Sequence, residues 1–388
     1  TRVNAQGLVE NVQILSSNLV QNGDFSEQGS EEVSNGSFSQ EGAEQVTSFT
    51  NGTTYPFSTF TSLDNNITSA IINSNFAGCV SNSISVTSSQ IYKVSFNYTK
   101  NSGDDLRVVF SSVVSGAGAQ TSNAELVSTS GSITLYLTIS SSGTSYLQLG
   151  TASGSASIDF SISNFSVREV GQDWALQTGW SIAEDKAVYD GLSGTQPIVA
   201  INGAAPQVGK TYKVSFDVLE QGSGINSAFL GGVNFSATNL AIGSYVFYVT
   251  VTNRNRFQIY GRNGSVFSIT NISVKEVGQN WELQNGWSIG NNVAVFSGTA
   301  SAYRTIYQEN ILTVNNKYRL TFNIVSISSG SIENISQSNP ISYNTIGTKT
   351  EDFIATNASL FLKPITTADL SITNISVIEI TDDTNLPR

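Results

Sequence analysis

The feature that constrains this chain most is a long internal repeat. Residues 167–182 read VREVGQDWALQTGWSI and residues 274–289 read VKEVGQNWELQNGWSI, so Trp174 and Trp281 occupy the same place in the two copies. The strand motif that leads into this segment, Asn-x-Ser-Val at residues 164–167 and 271–274, occurs a third time at residues 374–377. A period of about 105 residues is far longer than a solenoid repeat and matches one small β-sandwich.

A second motif shows the same period and defines the type of structure. Residues 91–98 (IYKVSFNY), 211–218 (TYKVSFDV) and 317–324 (KYRLTFNI) align without gaps. Apolar and polar residues alternate in each copy, which is typical of a half-buried strand. Turns rich in Gly, Asn and Ser separate such segments, and no amphipathic helix pattern is present. The sequence predicts an all-β chain of three serial antiparallel β-sandwich modules of the jelly-roll kind.

The repeats also set the expected boundaries. Module one is predicted at residues 18–170, module two at 171–277 and module three at 278–380. Residues 1–17 match no repeat and predict an extended N-terminal arm, either lying on another subunit or frayed. Residues 381–388 (TDDTNLPR) predict a polar exit tail or linker.

Composition excludes several classes of function. The 388 residues contain no His, which excludes Ser-His-Asp catalysis and His-ligated metals. A net charge of −11 with only 12% charged residues disfavours nucleic-acid binding, which needs clustered Lys and Arg. The single cysteine, Cys79, forms no intrachain disulfide and is expected to pack as a buried apolar side chain. No apolar run is long enough for a transmembrane helix, so no membrane partner is expected.

The junction motif EVGQ(D/N)W-LQ-GWSI, the opening TRVNAQGLVE and the closing DDTNLPR resemble virion fibre and adhesin proteins of tailed bacteriophages of marine or Bacteroidetes-type hosts. The marker strands and residues 18–25 (NLVQNGDF) resemble jelly-roll carbohydrate-binding modules. The resemblance implies a structural protein of the extracellular virion surface, a head or tail fibre or decoration protein that acts as spacer and attachment surface. It also implies a homo-oligomer, with a trimer favoured, that contacts other virion proteins through residues 1–17.

The alternative function is a glycan-binding adhesin on host surface polysaccharide. Tyr248 points away from the apolar face of its strand, as do Arg256, Gln258 and Tyr260 on theirs. If those strands are neighbours, the four side chains form one exposed patch of the kind that anchors ligands. The competing interpretation is a solvated strand face or a subunit contact.

The four tryptophans recur at matched positions in the repeats. Stacking on sugar rings is one interpretation of such aromatic residues. Their presence at both junctions favours a role in packing one module against the next, and we assign that role to Trp174, Trp180, Trp281 and Trp287.

Asp24 and Asp159 are candidate ligands of a structural Ca²⁺ in module one, because calcium prefers oxygen ligands. The alternative is a pair of turn and edge acids, and no other cofactor is expected. Adjacent carboxylates such as Glu31 and Glu32 point to opposite faces of a strand, so adjacency does not make a glycosidase dyad. We therefore expect no enzymatic activity, and polysaccharide degradation is the least favoured alternative.

Overall fold

The structure is a computed structural model of an all-β protein. It describes residues 2–3, 9–10, 13–63, 66–71, 78–114, 120–151, 157–192, 194–203, 205–221, 227–235, 240–262, 264–299 and 304–382. Within these ranges the strands pair antiparallel and no helix forms, which confirms the predicted fold class. A helix that could cross a membrane is accordingly not found among these residues.

Short strands near the N-terminus precede the modules. They are β1 (Arg2–Val3), β2 (Val9–Glu10), β3 (Gln13–Leu15), β4 (Gln28–Glu31) and β5 (Glu41–Glu44).

Module one contains two sheets, with strand orders β14-β11-β16-β8-β7 and β13-β12-β15-β9-β6, and β10 pairs with β15. Its strands are β6 (Phe49–Asn51), β7 (Thr59–Leu63), β8 (Asn66–Ile71), β9 (Gly78–Ser81), β10 (Ile84–Val86), β11 (Ile91–Gly103), β12 (Leu106–Ser111), β13 (Gln120–Val127), β14 (Gly131–Thr138), β15 (Gly143–Thr151) and β16 (Ile158–Val170).

Module two repeats this plan, with sheet orders β18-β19-β26-β21-β24 and β17-β20-β25-β22-β23. Its strands are β17 (Trp174–Leu176), β18 (Trp180–Ala183), β19 (Lys186–Tyr189), β20 (Gln196–Ala200), β21 (Thr211–Gln221), β22 (Ser227–Leu230), β23 (Val233–Asn234), β24 (Gly243–Thr250), β25 (Gln258–Gly261) and β26 (Phe267–Val277).

Module three merges its strands into one sheet, because β31 and β34 are 18 and 23 residues long and each pairs with strands of both layers. Register shifts along the β31–β34 ladder bend both strands. The strands are β27 (Glu282–Leu283), β28 (Trp287–Gly290), β29 (Val293–Thr299), β30 (Ile306–Gln308), β31 (Lys317–Asn334), β32 (Ser342–Tyr343), β33 (Gly347–Ile354) and β34 (Leu360–Asp382).

The marker strands occupy equivalent places in the three modules. Each marker strand, β11, β21 or β31, pairs with the last strand of its own module, β16, β26 or β34. Tyr92, Tyr212 and Tyr318 are the first inward residues of these strands, and all three are buried. The period-two alternation therefore assigns the inward face correctly. Cys79 is also fully buried, as expected.

Among the described residues, buried apolar side chains form three large clusters. The first contains module one side chains from Val46 to Val167. The second lies in module two but also includes Val33 and Phe38. The third lies in module three but also includes Val20 and Phe25. The predicted start of module one at residue 18 is therefore wrong, because the buried side chains of residues 18–38 complete the cores of the other two modules.

The predictions of a separate arm and a separate tail are also wrong in part. Gln13, Ile14 and Leu15 pair with Asp382, Thr381 and Ile380, so the end of the arm and the start of the tail form one ladder on module three. The backbone N–H of Ser16 extends this ladder by donating to the Glu379 carbonyl (3.1 Å). Apart from the β1–β2 pair, residues 1–12 lie outside the described residues, as do residues 383–388 of the predicted tail.

Candidate functional site

The structure contains a segment that the sequence did not predict. We call this segment, residues 13–46, the strap. Its strands run past the modules in reverse order, because β3 pairs with β34, β4 with β26 and β5 with β16. The strap thus contacts module three first, module two next and module one last, before the chain enters module one. One continuous segment joins all three modules.

The strap places one valine in each core. Val20, Val33 and Val46 are evenly spaced along the chain and are 6%, 4% and 0% exposed. They belong to the clusters of modules three, two and one, respectively. Burying a side chain of this size contributes about 1.5–3 kcal/mol, so these contacts stabilise the attachment substantially.

A polar side chain two residues before each valine binds the last strand of the module. Val377, Val274 and Val167 donate their backbone N–H groups to side-chain oxygens of the strap. The acceptors are Asn18 Oδ1 (2.9 Å), Glu31 Oε1 (2.6 Å) and Glu44 Oε1 (2.7 Å). The three contacts are equivalent in the strap and in the modules.

An Asn-Gly-x-Phe turn follows the valine in modules three and two. Asn22 and Phe25 have φ angles of 48° and 57°, and Asn35 and Phe38 have φ angles of 51° and 58°. Residues with a Cβ rarely adopt this left-handed backbone region. Its occurrence at both phenylalanines therefore indicates that the two turns share one specific conformation. The turn places each phenyl ring in the adjoining core.

The first tryptophan of module two and the first of module three each contact this turn. Trp281 packs against Phe25 with ring centroids 5.4 Å apart, and its Nε1–H donates to the Asn22 carbonyl at 3.0 Å. Trp174 packs against Phe38 at 5.0 Å and donates to the Asn35 carbonyl at 3.0 Å. A buried indole with a satisfied N–H fixes the turn in both modules.

The turn glycines lie directly against module backbone. The backbone N–H of Ile375 donates to the Gly23 carbonyl, and that of Ile272 donates to the Gly36 carbonyl, both at 2.9 Å. A Cβ at either glycine would overlap the carbonyl oxygen of the same isoleucine. Glycine is therefore required at both positions for steric reasons.

A short repeat in the sequence marks the strap, and our sequence analysis did not detect it. Residues 22–33 read NGDFSEQGSEEV and residues 35–46 read NGSFSQEGAEQV, so Asn, Gly, Phe, Ser, Gly, Glu and Val recur at one constant interval. A unit this short forms no module of its own. A short repeat next to the long repeat of the modules is the signal that identifies a segment whose successive units each bind one module.

The four tryptophans are buried, and the assignment of a packing role between modules stays a prediction, because their aromatic ring contacts lie within a module or on the strap. Trp180 packs on Tyr189 and Phe267, and Trp287 packs on Phe296, all within one module. The other two indoles bind the strap. Gly171 and Gly278, the first residues of modules two and three, lie directly against Ile182 and Ile289 of the same module.

The predicted four-residue patch does not assemble. Tyr248 lies on β24 and Tyr260 on β25, and these strands belong to different sheets of module two. Tyr248 packs against the core of module three, beside Gly290. Gln258 and Tyr260 do share a face, with Tyr260 Oη donating to Gln258 Oε1 at 3.0 Å. Arg256 donates to the carbonyls of Ile201 and Gly203.

The two predicted calcium ligands lie in different modules. Asp24 belongs to the strap turn on module three, where its Oδ1 accepts from the Ser26 N–H (3.2 Å) and hydroxyl (2.9 Å). Asp159 is on β16 of module one and accepts from Asn101 Nδ2 at 3.0 Å. The pairing of these aspartates is therefore wrong. The described residues contain no group of three or more acidic, His or Cys side chains arranged for a metal.

Module three has a cleft that several polar side chains line. It has a volume of about 620 Å³. Its polar lining includes Lys317 and Asp352, whose Nζ and Oδ2 atoms lie 3.7 Å apart, and the amides of Asn315, Gln337 and Asn339. Arg319 Nε donates to Asp352 Oδ1 at 2.7 Å, and this hydrogen bond holds the pKa of Asp352 below its ordinary value.

A buried carboxylate supports one wall of this cleft. Glu351 is 6% exposed and accepts from Gln337 Nε2 (3.1 Å) and Tyr343 Oη (3.0 Å). Burial raises the pKa of Glu351, and the hydrogen bonds only partly oppose this. In the other modules the equivalent ladder positions hold Leu135 and Phe247. The acid is thus a specific feature of module three.

Comparisons with known proteins gave structural similarity only. No protein-family model and no curated protein matches the chain. One similar solved structure is the tandem CBM22 domain pair at the N-terminus of Xyn10C from Paenibacillus barcinonensis, at 12% identity over 87% of this chain and 98% of that chain, with a TM-score of 0.19. Another is Sulfolobus turreted icosahedral virus, at 12% identity over 87% of this chain and 90% of that chain, with a TM-score of 0.17.

Proposed function

We propose that this chain is a structural protein of a phage virion, located on the outer surface of the particle, where it acts as a spacer and attachment surface. The observation that carries the proposal is the strap, which binds all three modules with one continuous segment. Sheet pairing and buried side chains then resist separation of the modules, in addition to the chain that links them. The resemblance of the junction and terminal motifs to virion fibre proteins supplies the phage context.

In this role the modules would assemble with identical copies, a trimer being favoured, and contact other virion proteins through the N-terminal residues. Because residues 13–16 are already paired with module three, residues 1–12 are the part of the predicted arm that we assign to this contact. We propose no catalytic step and no bound cofactor. A calcium ion is not part of the proposal, because Asp24 and Asp159 lie in separate modules.

Quantitative mass spectrometry of purified particles tests this function. We expect the chain in fixed copy number per particle, and a chain lacking residues 1–12 to fold but to be depleted from particles. A matched substitution of Thr53 and Thr54 by Ala, in an exposed loop of module one, should leave incorporation unchanged. Absence of the chain from purified particles would contradict the proposal.

The cleft on module three favours glycan binding as a second function. Amide, carboxylate and ammonium groups beside an apolar floor are typical of sites that fix sugar hydroxyls. We propose host surface polysaccharide as the ligand class. A glycan array is the measurement, and Asn339→Ala in the cleft should reduce binding at least tenfold.

Tyr260→Ala is the matched control, because this tyrosine lies on module two and outside the cleft. Loss of binding with Tyr260→Ala but not with Asn339→Ala would assign the ligand to module two instead. No binding to any host glycan would leave the structural role. Release of reducing sugar, which we do not expect, would indicate an enzyme.

A further inference from the structure

The surface under the strap has the properties of a peptide-binding groove. In module two, Lys275 and Val277 pair with β21 on one side and with Glu31 and Gln28 of the strap on the other. Without the strap, this half of β26 would present an open edge, which is a template for adding a strand. Module three presents the same edge, to which Leu15 adds at Ile380.

Side-chain recognition accompanies this main-chain pairing. Each groove offers a pocket for valine, a tryptophan for the phenylalanine of the turn and a backbone N–H for a side-chain oxygen. The clearance at Ile375 and Ile272 admits only glycine at one position. These requirements select the sequence Asn-Gly-x-Phe with a valine two residues before it.

The strap is fastened at separate points, and the links between them are exposed. Ser26 and Glu27 connect the part on module three to the part on module two, and both residues are exposed. Ser39 and Gln40, between modules two and one, are exposed as well. The strap is therefore a series of bound units separated by exposed links. Its covalent connection to the folded modules is at Val46, where the chain enters module one.

We propose that these grooves are binding sites for the strap of a second copy of this chain, so that two chains exchange residues 13–38 and complete each other's cores in modules three and two. An identical chain supplies every contact that the strap makes within its own chain. The inference goes beyond the spacer role and does not depend on a virion location.

Concentration decides between the two arrangements, because their contacts are the same. Within one chain the effective concentration of a tethered segment is in the millimolar range for a short flexible link. Exchange therefore becomes extensive when chains are locally concentrated, or when they fold together before their straps have bound. This is the general behaviour of domain swapping, in which each copy contributes an identical element to the other.

A pair of cysteines tests the exchange on full-length chains. Leu15 and Ile380 are direct partners in an antiparallel ladder, a spacing that permits a disulfide. One chain carries Leu15→Cys, the other carries Ile380→Cys and a mass tag, and the two are refolded together before oxidation. Cys79 is fully buried and does not compete. A chain with both substitutions checks the geometry by forming an intrachain disulfide.

We expect a disulfide-linked pair of one tagged and one untagged chain, with a yield that increases with protein concentration. Val277→Cys is the matched control for Ile380→Cys, because it is similarly buried but lies opposite Gln28 and not Leu15. Adding Gly23→Val to the Leu15→Cys chain should reduce the yield at least tenfold. A mixed pair that never exceeds the Val277→Cys control, while the double-cysteine chain still closes on itself, would overturn the proposal.

Discussion

Glu31 and Glu44 make the same two hydrogen bonds on two different modules. Glu31 accepts from Val274 N (2.6 Å) and Ser273 Oγ (2.5 Å), and Glu44 accepts from Val167 N (2.7 Å) and Ser166 Oγ (2.6 Å). The glutamates recur with the short period of the strap, and their donors recur with the long period of the modules. The strap and the modules therefore repeat at different intervals along the chain, yet equivalent residues of the two are in contact. This is possible because the strap spans each module with a short extended segment.

The phenylalanines of the strap should each stabilise one module. Phe25→Ala removes a ring that is 2% exposed from the core of module three, and Phe38→Ala does the same in module two. Such truncations cost about 3–5 kcal/mol. Hydrogen exchange should show faster opening of β34 with Phe25→Ala and of β26 with Phe38→Ala. Ser39→Ala, at an exposed site, is the control. If either phenylalanine variant affected both modules equally, this would contradict independent docking of the strap on each module.

Gly36→Ala should loosen the strap on module two. The new Cβ would overlap the Ile272 carbonyl oxygen, so the turn must shift, at a cost of about 1–3 kcal/mol. Gly194→Ala is a suitable control because its Cβ would meet no atom within 4 Å. Thermal unfolding should show a lower Tm for Gly36→Ala and an unchanged or slightly higher Tm for Gly194→Ala. A neutral Gly36→Ala would show that the close approach has no energetic importance.

Docking of the strap on module two should depend on pH through Glu32. Partial burial, together with repulsion from Glu276 and Glu31, raises the pKa of Glu32 above its ordinary value of 4.5. A carboxyl whose pKa is raised on docking binds more protons when docked, so docking is favoured below pH 4.5 and weakens as pH rises through the raised value. Glu32→Gln introduces the residue found at the equivalent position, Gln45.

We therefore expect Glu32→Gln to raise the protection factors of the β26 amides against hydrogen exchange at neutral pH, and to lessen the fall of these factors as pH rises above 4.5. Glu27→Gln, at an exposed site on the link, is the control and should leave the exchange profile unchanged. Wild-type protection factors that stay constant over this pH range would contradict the assignment to Glu32.

The buried carboxyl of Glu351 should give module three a separate pH dependence. Because burial raises the pKa of Glu351, its ionisation opposes folding, and stability should fall as pH rises from about 4.5 through the raised value. Glu351→Gln keeps an acceptor for Tyr343 and removes the charge. Urea unfolding at pH 5 and pH 8 should show a smaller loss of stability in the variant than in the wild type. An equal loss would assign the effect to other groups.

The sequence predicts the modules well because each contains its own alternating strands and repeats the others. It predicts the strap poorly because binding depends on partners far away in the chain, such as Asn18 with Val377. The four-residue patch failed for a related reason. Alternation shows that Tyr248 and Tyr260 face away from their apolar neighbours, but it does not show which strands are adjacent. Tyr248 is instead covered by module three, which follows it in the chain.

The reversed direction of the strap has a consequence for biosynthesis. Residues 13–25 leave the ribosome long before Ile375, Val377 and Ile380, which form part of their binding site. Because closing such a distant contact must await the whole intervening chain, the third core is completed only after β34 has been synthesised. A chain that terminates early leaves Phe25 and Val20 uncovered, so it exposes apolar surface that chaperones and proteases recognise.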